Sequence, residues 1–390
     1  MSEAKVNVSH YLGLSGIGGI QRNFIEYHNR ACLKDPDVEH KIYTLSSIDS
    51  QYKLTAPALN LVSNIFGFIK DLYSKKTIVH VYNTLSSTKF AIFLLFIPCH
   101  NLIVHERGSV WNISSARGFL LRFIARKASV ILANSNATKL LLSLKFSIPK
   151  NKIKVIHNGI QTSSALENKN KNNNDLSNKF TVGFIGRLDT PKGVHSLISA
   201  VKLIDRNENI QLLIAGDGVL KDALVKLAEG LENIIFVGRI NEPYNFLSKI
   251  DLLVVPSIRE PLGNVCLEAG LARVPVLAAN VDGIPEIIED EISGILLDQT
   301  EPVEQLMIFD SSIPIPIPEC VVDPIHKKLR PAQQISASTL AEKIIELKYK
   351  PELLKKYSNN LYAKVLSYFN IERYISELHL LYKELLAFRK

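Results

Sequence analysis

Twelve short apolar runs recur along this 390-residue chain, and most are followed by a stretch of helical periodicity. In the first half they cover 6–12, 42–45, 77–82, 101–105, 128–133 and 153–157. In the second half they cover 180–185, 210–215, 234–237, 251–256, 275–278 and 294–297. Most are continuous in Val, Ile and Leu and do not alternate with polar residues. A strand reads this way when both of its faces are buried, as in a parallel sheet covered by helices on each side. Repeated strand-then-helix order predicts an α/β architecture, and the length is enough for two domains with separate cores.

The halves are divided by residues 161–179, which are dominated by Asn, Lys and Ser and carry almost nothing to bury. Such a segment is a surface linker. The predicted division is therefore a first α/β domain over 1–165, a linker over 166–179, a second α/β domain over 180–369 and a terminal helix over 370–390. In that last stretch Ile371, Tyr374, Ile375, Leu378, Leu381, Tyr382 and Leu385 form one apolar face at helical spacing. Periodicity alone leaves open whether this face packs back on the first domain or stays on the second. Residues 301–331 fit the pattern badly: alternate prolines in Ile313-Pro-Ile-Pro-Ile-Pro318 forbid helix and interior strand, so the region is expected to be an extended excursion.

The net charge of +8 is unevenly placed, because residues 107–154 hold ten Lys or Arg and no Asp or Glu. Within this block 118–127 (GFLLRFIARK) and 138–146 (TKLLLSLKF) mix cations with large apolar residues, as membrane-surface helices do. An anionic membrane surface is the expected partner. Nucleic acid is not, since no zinc-finger or RNP pattern accompanies the charge. Cys32, Cys99, Cys266 and Cys320 form no C-x-x-C pair and are expected to be buried reduced thiols. The chain start lacks the basic and long apolar segments of a signal peptide, and no apolar run approaches the roughly 20 residues of a spanning helix. The expected location is cytoplasmic, with peripheral contact on the inner face of the membrane.

Candidate chemistry concentrates in the second half. Glu260 and Glu268 flank Pro261-Leu262-Gly263-Asn264-Val265-Cys266-Leu267, after a buried strand. This spacing predicts one carboxylate in the strand-to-helix turn and the other about two turns into the helix. At the end of the 180–185 strand stand Arg187 and Lys192, with Thr190 and Pro191 suited to helix N-cap and N1. Two cations beside a helix N-terminus make an anion site that fits a diphosphate. The first half opens with a glycine turn, Gly16, Gly18 and Gly19, but Gln21 stands where a dinucleotide fingerprint needs glycine. A phosphate loop and a simple tight turn are both open. His105 ends a strand, and either a site role or a structural one fits it. No second histidine lies at ligand spacing, so no metal site is expected.

Together, Arg187-x4-Lys192-Gly193, Gly238, Glu260-x7-Glu268 and Gly283-Ile284-Pro285-Glu286 resemble the retaining GT-B glycosyltransferases of family 4, the group 1 glycosyl transferases. The likeness covers nearly the whole second half. In the first half it rests on the glycine turn, His105 and Val155-Ile156-His157-Asn158-Gly159. The resemblance implies two Rossmann-like parallel-sheet domains facing across a cleft. It implies a nucleotide-sugar donor (UDP- or GDP-sugar) as substrate, no metal or other cofactor, and a glycan or lipid-linked acceptor. Carried over by position, Arg187 and Lys192 bind the diphosphate, Glu268 the ribose, and Glu260 with the amides of Leu262, Gly263 and Asn264 the sugar. Gly238 and Arg239 read the base, Gly18 and Gly19 approach the phosphates, and His105 lies near the transferring sugar. A GT-B-fold sugar-nucleotide epimerase and a non-catalytic sugar-nucleotide binder are the alternatives. Two positions depart from the family pattern: Leu262 replaces a frequent aromatic residue, and Arg273 stands where glycine is common.

Overall fold

In the computed structural model, which describes residues 5–15, 19–45, 53–162, 179–303 and 317–387, the apolar runs pair side by side as parallel strands. The chain divides into two compact units, residues 1–161 with 369–390 and residues 162–368. Residues 163–178, most of the expected linker, and Gly16, Ile17 and Gly18 of the glycine turn lie outside the described residues.

The first unit is built on β1 (Val6–Tyr11), β2 (Val38–Thr44), β3 (Ala58–Asn60), β4 (Thr77–Tyr82), β5 (Leu102–Glu106), β6 (Val130–Ala133) and β7 (Ile153–Val155). Their order is β3-β2-β1-β4-β5-β6-β7, with every pair parallel. The three-residue β3 was not expected. Too short to show as an apolar run, it is defined by pairing with the outer edge of β2. Helices Thr88–Phe96 and Asn136–Phe146 begin where a serine caps them: Ser87 Oγ accepts from the Phe90 amide at 3.2 Å, and Ser135 Oγ from Thr138 at 3.0 Å.

The helix Ile371–Ala387 packs into this first core. Ile371, Tyr374, Ile375, Leu378, Leu381 and Tyr382 are buried among Val8, Phe24 and Tyr27, with Leu385 partly buried against them. The Tyr374 ring meets Tyr27 edge-on at 5.6 Å, and the Arg373 guanidinium donates to the His157 carbonyl at 2.7 Å. The apolar stripe is thus matched to the first unit.

The second unit is built on β8 (Phe180–Ile185), β9 (Ile210–Ala215), β10 (Ile234–Gly238), β11 (Leu252–Val255), β12 (Val276–Ala279) and β13 (Ile295–Leu297), in the order β10-β9-β8-β11-β12-β13. All these pairs are parallel. Both sheets are doubly wound. Strand order reverses between β1 and β4 in one and between β8 and β11 in the other, and the crevice beyond such a reversal is where this architecture holds ligands.

The 301–331 region corrects the expectation of a bare excursion. Residues 304–316 lie outside the described residues, but the rest forms two antiparallel pairs. β14 (Glu301–Pro302) pairs with β17 (Gln333–Gln334), and β15 (Val321–Asp323) with β16 (Lys328–Arg330). Val321 and Val322 are fully buried. The alternate prolines end at Pro318, before this hairpin, which is why the composition of the whole region concealed it. The thiols need correction as well: all four cysteines are free, but only Cys266 is buried, the others being half-exposed.

Candidate functional site

The strand reversal of the second sheet gathers the charged set. Arg187, Thr190 and Lys192 follow β8, and Ser257, Arg259 and Glu260 follow β11, its neighbour in the sheet. The two loops are locked together by backbone. The Pro191 carbonyl accepts from the amides of Ile258 at 2.9 Å and Arg259 at 3.1 Å. Gly193 takes φ +65°, and a Cβ there would sit 2.0 Å from the Pro256 carbonyl oxygen. Only glycine permits that approach.

This lock also displaces the expected helix start. Thr190–Lys192 forms a 3-10 turn, and the α-helix Val194–Leu203 begins after Gly193. Thr190 and Pro191 therefore belong to the turn and do not cap the helix.

The turn delivers Lys192 to Glu260. Its Nζ lies 2.5 Å from Glu260 Oε2, with side-chain exposures of only 21% and 9%. Ser257 Oγ donates to the same oxygen at 3.3 Å. At this burial the ion pair is shielded from solvent, so removing one partner leaves the other charge uncompensated. Arg187 is different: its side chain is 72% exposed and ion-paired to Asp189 at 3.2 Å. Arg259 ties the loops together. Burial pushes its guanidinium below the usual range, Asp282, Asp189 and Glu260 pull it back, and Arg187 opposes them.

Beyond Glu260 the chain turns through buried Leu262 and through Gly263 at φ +99°, then enters the helix Asn264–Leu271. Glu268 is the fifth residue of that helix, just past the first turn and nearer the loop than expected. The left-handed Gly263 delays the helix start, which the residue spacing alone did not show. Buried Cys266 lies between the acids. Burial first, then the charge of Glu260, pushes its thiol up, with Glu268 adding to this and Lys192 opposing it. The structure therefore brings Lys192, Glu260 and Glu268 around one helix start. Gly238, at φ +78°, and exposed Arg239 end β10, two strands from β8 along the same edge.

Asp282 gave no signal in the sequence. It is 1% exposed and adopts φ +49°. Its Oδ2 accepts from the Glu260 amide at 2.9 Å and its Oδ1 from the Val322 amide at 2.6 Å. Burial pushes this carboxyl up to about 8, against the pull of those two amides. Arg273 is also left-handed, at φ +55°, which accounts for the glycine common there in the family pattern. The guanidinium stacks 3.6 Å above the Tyr362 ring and bonds Asn359 at 2.7 Å.

In the first unit Gly19 opens the helix Gly19–Lys34 and is exposed, while Gln21 reaches back to the Gly13 carbonyl at 3.3 Å. His105 is fully buried. Its ring stacks on His80 with centroids 5.3 Å apart, its Nδ1 lies 3.2 Å from His80 Nε2, and its carbonyl accepts from the Asn83 amide at 2.8 Å. Only Nε2 has no partner among the described residues. Next to it, Arg107 is buried and donates to Asn23 at 2.6 Å and Asn158 at 2.8 Å. Glu106 accepts from Gly108, Ser109 and Val110, and burial pushes its carboxyl up.

The ten-cation block does not form one patch. Arg107 is buried, and Lys154 is paired with Glu384 at 3.0 Å. Of the others, Arg122, Arg126 and Lys127 lie on the helix Gly118–Lys127, which packs against the helix Thr88–Phe96 outside the block. The two helices expose Lys89, Ile92, Leu95 and Phe96, and Phe119, Arg122 and Arg126. The 138–146 segment contributes less, since Leu141, Leu142 and Phe146 are buried. No described helix is long and apolar enough to cross a membrane.

Comparison with known proteins agrees with this architecture. The family model for glycosyl transferases group 1 matches residues 166–307, and the model for glycosyltransferase family 4 matches residues 56–164. The chain belongs to these glycosyltransferases, and its fold is GT-B. It is 30% identical over 212 residues to an uncharacterized glycosyltransferase of Methanocaldococcus jannaschii, covering 50% of this chain and 54% of the relative. A second relative, from Campylobacter jejuni, is 30% identical over 184 residues, covering 46% of this chain and 49% of the relative. Its name is N-acetylgalactosamine-N,N'-diacetylbacillosaminyl-diphospho-undecaprenol 4-alpha-N-acetylgalactosaminyltransferase. The chain spans about half the length of these curated relatives. Among solved structures, Anabaena Alr3699/HepE in complex with UDP-glucose superposes with a TM-score of 0.71 at 17% identity, covering 97% of this chain and 99% of the other. That likeness is one of fold.

Proposed function

We propose that this chain moves a hexose from a nucleotide sugar to a glycan or lipid-linked acceptor, with retained anomeric configuration and no metal ion, in building a bacterial surface polysaccharide or lipopolysaccharide. The observation that carries the reading is the shielded Lys192–Glu260 pair at the strand reversal of the second sheet. Lys192 and exposed Arg187 supply positive charge for a departing diphosphate, the task a divalent cation performs elsewhere. Glu260 and the amides of Leu262, Gly263 and Asn264 are arranged to hold sugar hydroxyls, and Glu268 the ribose diol. Gly238 and Arg239 line the same sheet edge for the base. On the first unit, the family resemblance assigns Gly18 and Gly19 to the phosphates and His105 to the transferring sugar. The Campylobacter relative, whose name includes a diphospho-undecaprenol, supports a lipid-linked acceptor.

Donor identity is tested with a thermal-shift panel of UDP-, GDP-, ADP- and dTDP-sugars. A ligand at a hundred times its Kd stabilises by about 2.7 kcal/mol. For a unit of this size that raises the melting temperature by roughly 5–10 °C. Product NMR then reads the chemistry: an acceptor glycoside of retained configuration is expected. An inverted product, or an epimerised nucleotide sugar formed without acceptor, contradicts the reading.

The paired helices support an acceptor presented at an anionic membrane surface. Each cation near such a surface contributes about 1 kcal/mol, and Ile92, Leu95, Phe96 and Phe119 supply apolar contact. The protein is expected to float with anionic vesicles at low salt and to be released as salt screens the attraction. A protein that stays at the bottom of the gradient at low salt, or floats equally with neutral vesicles, contradicts this.

A further inference from the structure

Residues 321–334 are linked to the loop after β11 and to the helix that follows Lys192. Three connections run through side chains that no sequence pattern singled out. Asp282 bridges the Val322 amide of β15 to the Glu260 amide, and its own amide donates to the Val322 carbonyl at 3.1 Å. The second connection runs through Gln299, which is 4% exposed. Arg330 of β16 donates to Gln299 Oε1 at 2.7 Å, and Gln299 Nε2 donates onward to the carbonyls of Ser257 at 2.8 Å and Ile258 at 3.1 Å. The third joins Gln334 Oε1 of β17 to the His195 ring at 2.8 Å, in the first turn of the helix that follows Lys192 and Gly193. Glu260 and Ser257 are thus each held, through one intermediary, by a segment outside the six-stranded sheet, and the helix that follows Lys192 is held by Gln334.

We infer that residues 321–334 act as a clamp that positions the donor-sugar site, with Asp282, Gln299 and Arg330 as positioning residues for Glu260 and Lys192. The inference rests on the donor-site reading above. The physical reason is geometric. Glu260 lies in a loop with no helix or strand to fix it, and its amide has one acceptor, on Asp282. Asp282 is itself held on its other oxygen by the hairpin. Aspartate turns an oxygen to each of two N–H donors, and in the protonated form its hydroxyl oxygen still keeps a lone pair for one of them. Asparagine gives one and turns an NH2 towards the other donor, while still tolerating the left-handed backbone. Burial raises the affinity of this carboxyl for a proton, in keeping with a group whose partners are fixed and dry.

The test uses the full chain and two variants, Asp282→Asn and Arg330→Met, with Arg330→Lys as the conservative control. Amide hydrogen exchange over residues 257–263 reads the clamp without reference to activity. Exchange there should quicken by about tenfold or more in Asp282→Asn and Arg330→Met, while β9 and β12 keep their protection. Transfer should fall in kcat by about 10- to 100-fold, as misplacement of a positioned group does. The Kd for UDP or GDP alone should change by less than about threefold, because the clamp holds the sugar end of the site. Arg330→Lys should recover part of the protection. Unchanged exchange over 257–263 in both Asp282→Asn and Arg330→Met overturns the clamp even if transfer drops. If the wild-type protein transfers no sugar from any nucleotide, that failure belongs to the functional reading, and the exchange result still decides the clamp.

Discussion

Replacing Glu260 by glutamine is expected to lower sugar transfer by about two to three orders of magnitude and to leave the protein folded. Removing one preorganised group aimed at the reacting centre has this magnitude where the site excludes water. Glutamine keeps the volume and an acceptor oxygen for Ser257, so the loop retains its shape. Lys192→Met should also abolish transfer, but at a different cost to the fold. It leaves the Glu260 carboxylate, 9% exposed, with only the 3.3 Å contact from Ser257 in place of its cation. Breaking a buried pair from one side costs about 3–5 kcal/mol, which for a unit of this size lowers the melting temperature by roughly 6–20 °C. Combining Lys192→Met with Glu260→Gln removes both charges and should restore much of that stability without restoring activity. Steady-state kinetics and thermal melts of the two single variants and the double variant measure each claim. Near-normal turnover in Glu260→Gln rules out its placement at the reacting sugar. Stability effects that simply add rule out the ion pair as a coupled unit.

The strands were legible because each doubly buried run is a continuous block of Val, Ile and Leu, and all six in the second unit fell where the runs lie. β3 was not, because three residues carry no pattern and the pairing that defines it comes from β2. The residue types of the site were also legible: Arg187, Lys192, Glu260 and Glu268 stand out at strand ends. Their relations were not. That Lys192 bonds Glu260 depends on Gly193 meeting the Pro256 carbonyl, a contact between loops 63 positions apart. Asp282 was hidden for the same reason, since its partner Val322 lies 40 positions on, beyond a proline-rich stretch that shows no periodicity. The resemblance motif begins at Gly283, so it stopped one residue short.

The first unit carries a second feature that spacing could not show, and it leads to the other large effect: this unit is expected to lose its stability in mild acid. His10, His40, His80 and His105 come from four different strands, and the parallel register sets His10 opposite His80. In the core they form a chain. His10 Nε2 lies 3.0 Å from His40 Nδ1, and His80 Nε2 lies 3.2 Å from His105 Nδ1. The Tyr82 hydroxyl is 3.4 Å from both His10 and His80. His80 Nδ1 also meets Tyr382 of the terminal helix at 2.7 Å. Burial pushes His40 and His80 down to about 3, and His10 and His105 well below the usual range, with Arg107 adding to the effect on His80 and His105. The folded state therefore keeps these rings neutral where the unfolded chain, with an ordinary value near 6.5, takes up protons. Their contribution is complete above pH 6.5 and is lost as pH falls from there towards 3. Each ring costs about 1.4 kcal/mol per pH unit once well below 6.5. Four rings amount to roughly 6 kcal/mol between pH 6.5 and 5, comparable to the whole stability of a small domain. The second unit has an opposing group in Asp282, whose raised carboxyl gains stability as pH falls from 8 towards 4. Hydrogen exchange at pH 7 and pH 5, corrected for intrinsic rates, should therefore show β4 and β5 losing protection before β8 and β9. His40→Gln should weaken the acid dependence by about one proton. Equal protection of β4 and β5 at the two pH values would show that the cluster already carries protons in the folded state.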